Sequence, residues 1–207
     1  HASAVFATHD HRDHVDEETL TPLLAASSQA LLITSPQGAA RMQQAGLAAE
    51  RVVTPVLGQE ATLGALRYTA IPAAHYAFEV DSHGRASYQG FVIHFNGVTL
   101  YHAGDTIMFP ELLEALAMVE RPIDVALLPI NGRDGFREAR GIVGNLLPDE
   151  AVLLAQRIGA RSLLATHNDM FAENRVNPAL LFDALDRHAP FLPCHLLQAG
   201  ELHLVVR

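Results

Sequence analysis

Cysteine is almost absent: the 207 residues hold only Cys194, so no disulfide framework can be built. Long apolar runs are missing too. Ala126 to Ile130 and Ser162 to Ala165 are short and bounded by polar or turn residues, far from the roughly 20 residues a membrane helix needs. No basic stretch followed by an apolar segment opens the chain, as an export leader would. These absences predict a soluble protein of the reducing cytoplasm, with no membrane partner. Positive charge is scarce: 14 Lys and Arg face 23 Asp and Glu, a net charge of −9, so the chain repels phosphate backbones and nucleic acid is not an expected partner. No Gly-x-Ser-x-Gly elbow occurs, and no histidine-carboxylate arrangement is evident around Cys194, which leaves covalent catalysis with little support. No repeat, low-complexity tract or linker divides the chain, so residues 1–207 are read as one domain.

What is present is apolar material and histidine. Hydrophobic residues make up 49% and charged ones 18%, enough for one globular core. The 12 histidines exceed what a domain of this size uses structurally, and several are clustered, which makes metal chemistry the first hypothesis.

Coarse periodicity predicts an α/β chain. Ala4 to Ala7 reads as a strand, Glu17 to Ala26 as a helix, Ala30 to Ile33 as a strand, and the stretch from Pro36 to near Gly46 as a second helix. From Arg51 to about Asp105 the pattern becomes β-rich, with turns at Gly58, Gly64, Gly84 and Asn96-Gly97; the last joins Phe91–Phe95 to Val98–His102 as a hairpin. Helices are predicted at Pro110–Val119, Pro148–Ile158 and Pro178–His188, and strands at Asp124–Ile130 and Ser162–Thr166. Leu196 to Val206, turning at Gly200, suggests a closing pair of strands.

The chemistry concentrates in Thr8-His9-Asp10-His11-Arg12-Asp13-His14, directly after the first strand. Alternate side chains of an extended segment share a face, so His9 and His11 can grip one ion while Asp13 and His14, further round the turn, reach a second. The segment taken alone also fits a solvated histidine-rich loop. His75 and His167, each at a strand end, fit capping or core histidines equally well in isolation, and Asp105 before Thr106 fits a helix N-cap.

His-x-His-x-Asp-His after a strand resembles the hallmark of the metallo-β-lactamase superfamily. The later positions follow in the family's order: Pro72-Ala73-Ala74-His75 is similar to its third histidine, Tyr101-His102-Ala103-Gly104-Asp105-Thr106 to its Gly-Asp-Thr element, and Ala165-Thr166-His167 to its last ligand. The resemblance implies a four-layer αββα sandwich and two divalent ions. It implies that His9, His11 and His75 hold one ion, that Asp13, His14 and His167 hold the other, and that Asp105 lies between them. Two such ions share a water and lower its pKa toward neutrality, which provides a hydroxide nucleophile, and Asp13 or Asp105 is placed to hold that hydroxide and return a proton. Histidines and carboxylates without thiolate suit zinc, manganese or iron. The other histidines, His94 and His102 among them, are taken as structural or supporting.

Two further stretches resemble the branch of that superfamily containing L-ascorbate-6-phosphate lactonase. One is Leu128-Pro129-Ile130-Asn131-Gly132-Arg133-Asp134 with its continuation to Ala151; the other is Thr166-His167-Asn168-Asp169-Met170-Phe171 with Asn174 and Asn177-Pro178. The branch implies opening of a phosphorylated sugar-acid lactone, manganese rather than zinc, and assembly into homo-oligomers. For a small anionic substrate, Arg133, Arg137 and Arg140 would share one face if their segment is helical; the same face fits solvation, neutralised by Asp134 and Glu138. Asn131 and Asn168 fit ligands for sugar hydroxyls, and equally turn residues. The departure from the family is at the front, where the histidine loop begins at the ninth residue instead of after several strands. The expectation is therefore a domain excerpt whose first sheet lacks its N-terminal strands, with edge exposure as the liability. Competing readings are another hydrolase of the superfamily (a thioesterase, phosphodiesterase or nuclease) or a metal-sensing protein without turnover.

Overall fold

The computed structural model describes residues 1–205. Its elements alternate from the start: β1 (Ala4–Phe6), α1 (Glu17–Ala26), β2 (Leu31–Ile33), α2 (Pro36–Gln44) and β3 (Val52–Val53). The β-rich middle follows with β4 (Glu60–Leu63), β5 (Leu66–Pro72), β6 (Gln89–Phe95) and β7 (Val98–His102). Alternation then returns with α3 (Pro110–Ala117), β8 (Val125–Pro129), α4 (Gly135–Glu138), α5 (Pro148–Arg157), β9 (Leu163–Thr166), α6 (Ala179–His188) and β10 (Cys194–His195).

Local chemistry sets the boundaries. The Asp16 side chain accepts from Thr19 N at the start of α1, and Ser35 Oγ accepts from Gly38 N at the start of α2, where Pro36 occupies the first turn. α5 begins with Pro148, and Glu150 reaches back to accept from Leu147 N. Asn96 and Gly97 both take positive φ, 50° and 79°, as a tight two-residue hairpin turn demands, and close β6 onto β7 with Phe95 opposite Val98.

Two sheets result. β1, β2 and β3 form a three-stranded parallel sheet; the second runs β10-β9-β8-β7-β6-β5-β4, antiparallel from β4 to β7 and parallel from β7 to β10. Side-chain alternation then separates three apolar layers. Leu20, Leu24 and Met42 of α1 and α2 pack with Leu32 on the outer face of the small sheet. Ile33 meets Tyr68, Ala70 and Phe91 between the sheets, where Phe6 makes edge contacts with both aromatic rings. Ile71, Val92, Tyr101 and Leu128 point the other way, into the largest core, under α3, α5 and α6. The αββα sandwich is thus present, with three strands in the first sheet among the described residues. No helix among the described residues is long and apolar enough to cross a membrane.

The predicted closing strands do not form. Residues 196–205 contain a turn at Gly200 but no strand, and Val206 lies outside the described residues. Leu202 and Leu204 are exposed, so their alternation has no apolar face to cover. The pairing goes instead to Cys194 and His195, which lie parallel to Leu163 and Leu164.

Candidate metal centre

Four loops at strand ends carry the polar cluster. After β1, Ala7 N donates to Ile33 O, and His14 N and Val15 N both donate to His11 O, which folds the histidine loop over; fully buried Val15 anchors it among α1 and α2. The loops after β5 and β7 are tied to one another. Ala74 N donates to Thr106 Oγ1 at 3.2 Å and Ile107 N to Ala74 O at 2.8 Å, which sets His75 beside Asp105. The fourth loop follows β9, where His167 adopts φ 59°, a left-handed conformation costly for a residue with a side chain.

These loops bring all seven expected ligands together, in two groups. Donor atoms of His9, His11, His75 and Asp105 lie within 4.8 Å of one another, as do those of Asp13, His14 and His167. Asp105 touches both groups: Oδ1 is 3.3 Å from His14 Nε2, while Oδ2 is 3.3 Å from His167 Nε2 and 3.8 Å from His75 Nε2. His167 Nε2 also lies 3.2 Å from Asp13 Oδ2.

The donor set fits divalent cations. His9 Nε2, His14 Nε2, His75 Nε2 and Asp105 Oδ1 are all buried without a hydrogen-bond partner among the described residues. His14 Nε2 and Asp105 Oδ1 face one another at 3.3 Å, whereas His9 Nε2 and His75 Nε2, left so, would cost roughly 1–3 kcal/mol each unless an ion occupies them. Burial, reinforced by His14, drives His9 down to about 2, so its imidazole is neutral, as a ligand must be. Burial also opposes a charged Asp105, yet His14 and His167 hold its carboxyl well below the usual range. His167 is the converse: burial works against its charge, but Asp105 and Asp13 raise it to about 10.

Contacts around the ligands come from residues that the sequence motif does not mark. Thr8 Oγ1 lies 3.0 Å from His9 Nδ1 and 3.1 Å from His14 Nδ1. The Gly144 carbonyl lies 2.9 Å from His75 Nδ1, and Tyr88 Oη lies 3.3 Å from His11 Nε2, which leaves Nδ1 as that ring's remaining donor atom. Thr8 adjoins the motif but has no role readable from sequence; Gly144 acts through its backbone. His102 supports the turn before Asp105, its Nδ1 accepting from Gly104 N, and burial lowers it to about 4. His94 contacts Thr99 Oγ1 within the sheet.

The expected anion-binding face is not assembled. α4 covers only Gly135–Glu138, so Arg133, Arg137 and Arg140 do not share a helix face. Arg133 donates to both carboxylate oxygens of Glu150 and to Asn145 O. Arg137 is held by Asp134, Asn131 O and Asn174 Oδ1, and Arg140 lies over the Phe136 ring. Carboxylates and carbonyls engage the Arg133 and Arg137 guanidinium groups, which are therefore not left to line a common face. Fully buried Asn131 is likewise engaged by Asn174 and Asn145, while Asn168 is buried next to His167. Beside Asp13 and His14 a groove of about 480 Å³ opens, lined by Leu20, Met170 and Phe171, with Arg12 as its cation. Cys194 is remote from this chemistry, and burial pushes its thiol up to about 11.

Comparison with known proteins agrees with this geometry. A family model described as the beta-lactamase superfamily domain matches residues 1–168. A UPF0173 metal-dependent hydrolase of Methanoculleus marisnigri is 31% identical over 177 residues, covering 84% of this chain and 69% of that protein. Another, from Methanosphaerula palustris, is 30% identical over 207 residues, covering 97% and 84%. Among solved structures, the metallo hydrolase Igni18 of Ignicoccus hospitalis superposes with a TM-score of 0.73 at 21% identity, over 97% of this chain and 78% of its own. The metallo-beta-lactamase fold protein YhfI of Bacillus subtilis gives 0.69 at 18% identity, over 96% and 76%.

Proposed function

Because the chain belongs to the metallo-β-lactamase superfamily, we propose that it is a metal-dependent hydrolase with a two-ion centre, acting on a carboxylic ester or lactone. The observation that carries the reading is the convergence of seven donor residues from four loops, with buried His9 Nε2 and His75 Nε2 lacking a hydrogen-bond partner among the described residues. His9, His11 and His75 would hold one ion, Asp13, His14 and His167 the other, with Asp105 in reach of both. When bound, such a pair of ions, zinc or manganese by the donor chemistry, lowers the pKa of water toward neutrality and polarises the scissile bond.

The chain's own groups then have distinct tasks. Asp105, ionised and buried, fixes the charge between the two donor groups. Asp13, also held below the ordinary carboxylate range despite burial, chiefly by its bond to His167, can take a proton at Oδ2 and return it to the leaving group. Leu20, Met170 and Phe171 keep one flank of the groove apolar. A single cysteine, which can form no disulfide within the chain, suits a reducing cytoplasm.

For the substrate, the likeness of residues 128–151 and 166–178 to the lactonase branch supports L-ascorbate-6-phosphate as the first compound to try. Arg133 and Arg137 are held by part-buried or nearby acceptors, so recognition of a phosphate would fall to Arg12 at the groove, whose exposed guanidinium has, among the described residues, only the loose 4.0 Å pair with Glu18 to give up. The test is hydrolysis of L-ascorbate-6-phosphate by metal-loaded protein beside Asp105→Ala and a panel of unphosphorylated lactones, thioesters and phosphodiesters. Turnover that needs Asp105 and the phosphate is expected. Turnover of another ester alone discards the substrate and keeps the centre; silence despite two bound ions overturns the enzyme reading in favour of a metal-sensing protein.

A further inference from the structure

Thr8 stands immediately before the histidine loop and is 4% exposed. Its hydroxyl oxygen lies 3.0 Å from His9 Nδ1 and 3.1 Å from His14 Nδ1, and these two histidines belong to different donor groups. The position of that oxygen is fixed from several sides. Thr8 O accepts from Gln89 N at 3.2 Å. Gly104, with φ 65°, packs so closely that a Cβ there would come within 2.8 Å of Thr8 Cβ and 2.9 Å of its Cγ2. The methyl group is therefore wedged against the turn that delivers Asp105, and the hydroxyl is left facing the two rings.

Hydrogen-bond bookkeeping gives this contact a consequence. A neutral imidazole carries one proton, on Nδ1 or Nε2, and only the bare nitrogen can bind a metal. If Thr8 donated to His9 Nδ1, the proton of that ring would sit on Nε2, a buried atom with no partner among the described residues. A hydroxyl oxygen has two lone pairs, enough to accept from both rings at once. We propose that Thr8 is a positioning residue whose Oγ1 accepts from Nδ1–H of both His9 and His14, so that one side chain sets the tautomer and orientation of a ligand to each ion. This rests on the two-ion reading above. It makes the two half-sites interdependent: removing a single oxygen weakens both.

The experiment is cobalt(II) titration of the metal-free protein, followed by d–d absorption and by equilibrium dialysis, for wild type, Thr8→Val and Thr8→Ser. Thr8→Val keeps the shape and loses the acceptor; it is expected to bind both ions about 10- to 100-fold more weakly, the usual effect of losing an outer-shell partner, with shifted absorption bands. Thr8→Ser keeps the oxygen and is expected within about twofold of wild type. Imidazole ¹⁵N NMR of zinc-loaded wild type reads the tautomer directly, even if Thr8→Val fails to fold, and protonated Nδ1 on both His9 and His14 is the expected result. Equal cobalt affinity and spectra for Thr8→Val and wild type, a Thr8→Ser as weak as Thr8→Val, or a bare Nδ1 on either ring overturns the role of Thr8 alone. A wild type that takes up no ion overturns the two-ion centre, and this role with it.

Discussion

His75 Nδ1 and the carbonyl oxygen of Gly144 lie 2.9 Å apart across 69 residues of chain. With the proton on Nδ1, Nε2 of the same ring is left bare and faces the donor cluster, where Asp105 Oδ2 is 3.8 Å away. Burial lowers the pKa of His75 against the opposing pull of this bond, which keeps the ring neutral. The loop leading into α5 thereby helps to aim a residue at the end of β5.

Gly144→Ala should disturb that aim. A Cβ at this position would fall onto the Arg133 side chain, with Arg133 Cα 3.0 Å and Gly132 O 3.1 Å away, so the backbone must shift. We expect a stability loss of about 1–3 kcal/mol in chemical denaturation and roughly tenfold weaker binding of one ion. Unchanged metal affinity would show that the Gly144 carbonyl does not orient His75.

Metal removal should destabilise the fold as well as silence it. At a free ion concentration 100 times its dissociation constant, each site adds about 2.7 kcal/mol, which for a chain of this length raises the melting temperature by roughly 5–10 °C. Calorimetry with and without a chelator measures this. Asp105→Asn, which removes the charge between the donor groups, should shrink the shift and lower turnover by at least about a hundredfold.

The pH response of the metal-free protein follows from His167. Its pKa is raised to about 10 in the fold from 6.5, because Asp105 and Asp13 outweigh the cost of burial. The group's stabilising contribution is therefore complete below about pH 6.5 and is lost as pH rises through about 10. A cation arriving at pH 8 must displace that proton. Calorimetric titrations in two buffers of different ionisation enthalpy should report release of about one proton, and His167→Ala should abolish it.

Arg133→Met separates structural from substrate-binding roles. The guanidinium donates to both oxygens of Glu150 at 2.6 and 2.7 Å, and Glu150 in turn accepts from Leu147 N at the start of α5. Its loss should cost about 1–2 kcal/mol of stability and leave KM for a phosphorylated substrate within about twofold. A large rise in KM at unchanged stability would return Arg133 to the anion site.

The helices at Glu17, Pro36, Pro110 and Pro148 and the Asn96-Gly97 hairpin were legible in the sequence, because each depends on neighbours close in the chain: a cap, a proline at a first turn, a pair of residues that tolerate positive φ. His9, His11, Asp13 and His14 stood out as candidate ligands in one loop after a strand, whereas His75, Asp105 and His167 were named only through the family resemblance. The seven donors could be named in sequence, but only folding brings loops as far apart as those of Asp13 and His167 within 3.2 Å. The fate of Arg133, Arg137 and Arg140 was not legible. Their spacing is that of a helix face, yet beside the nearby Asp134 and Asn131 O, the acceptors Glu150 and Asn174 that hold the first two come from other segments. The same holds for Thr8 and Gly144, whose roles exist only because a hydroxyl and a carbonyl meet imidazole nitrogens in a buried space. Local rules fix which groups a segment offers, whereas the competition among distant partners for each buried donor and acceptor is resolved only when the layers pack and water is excluded.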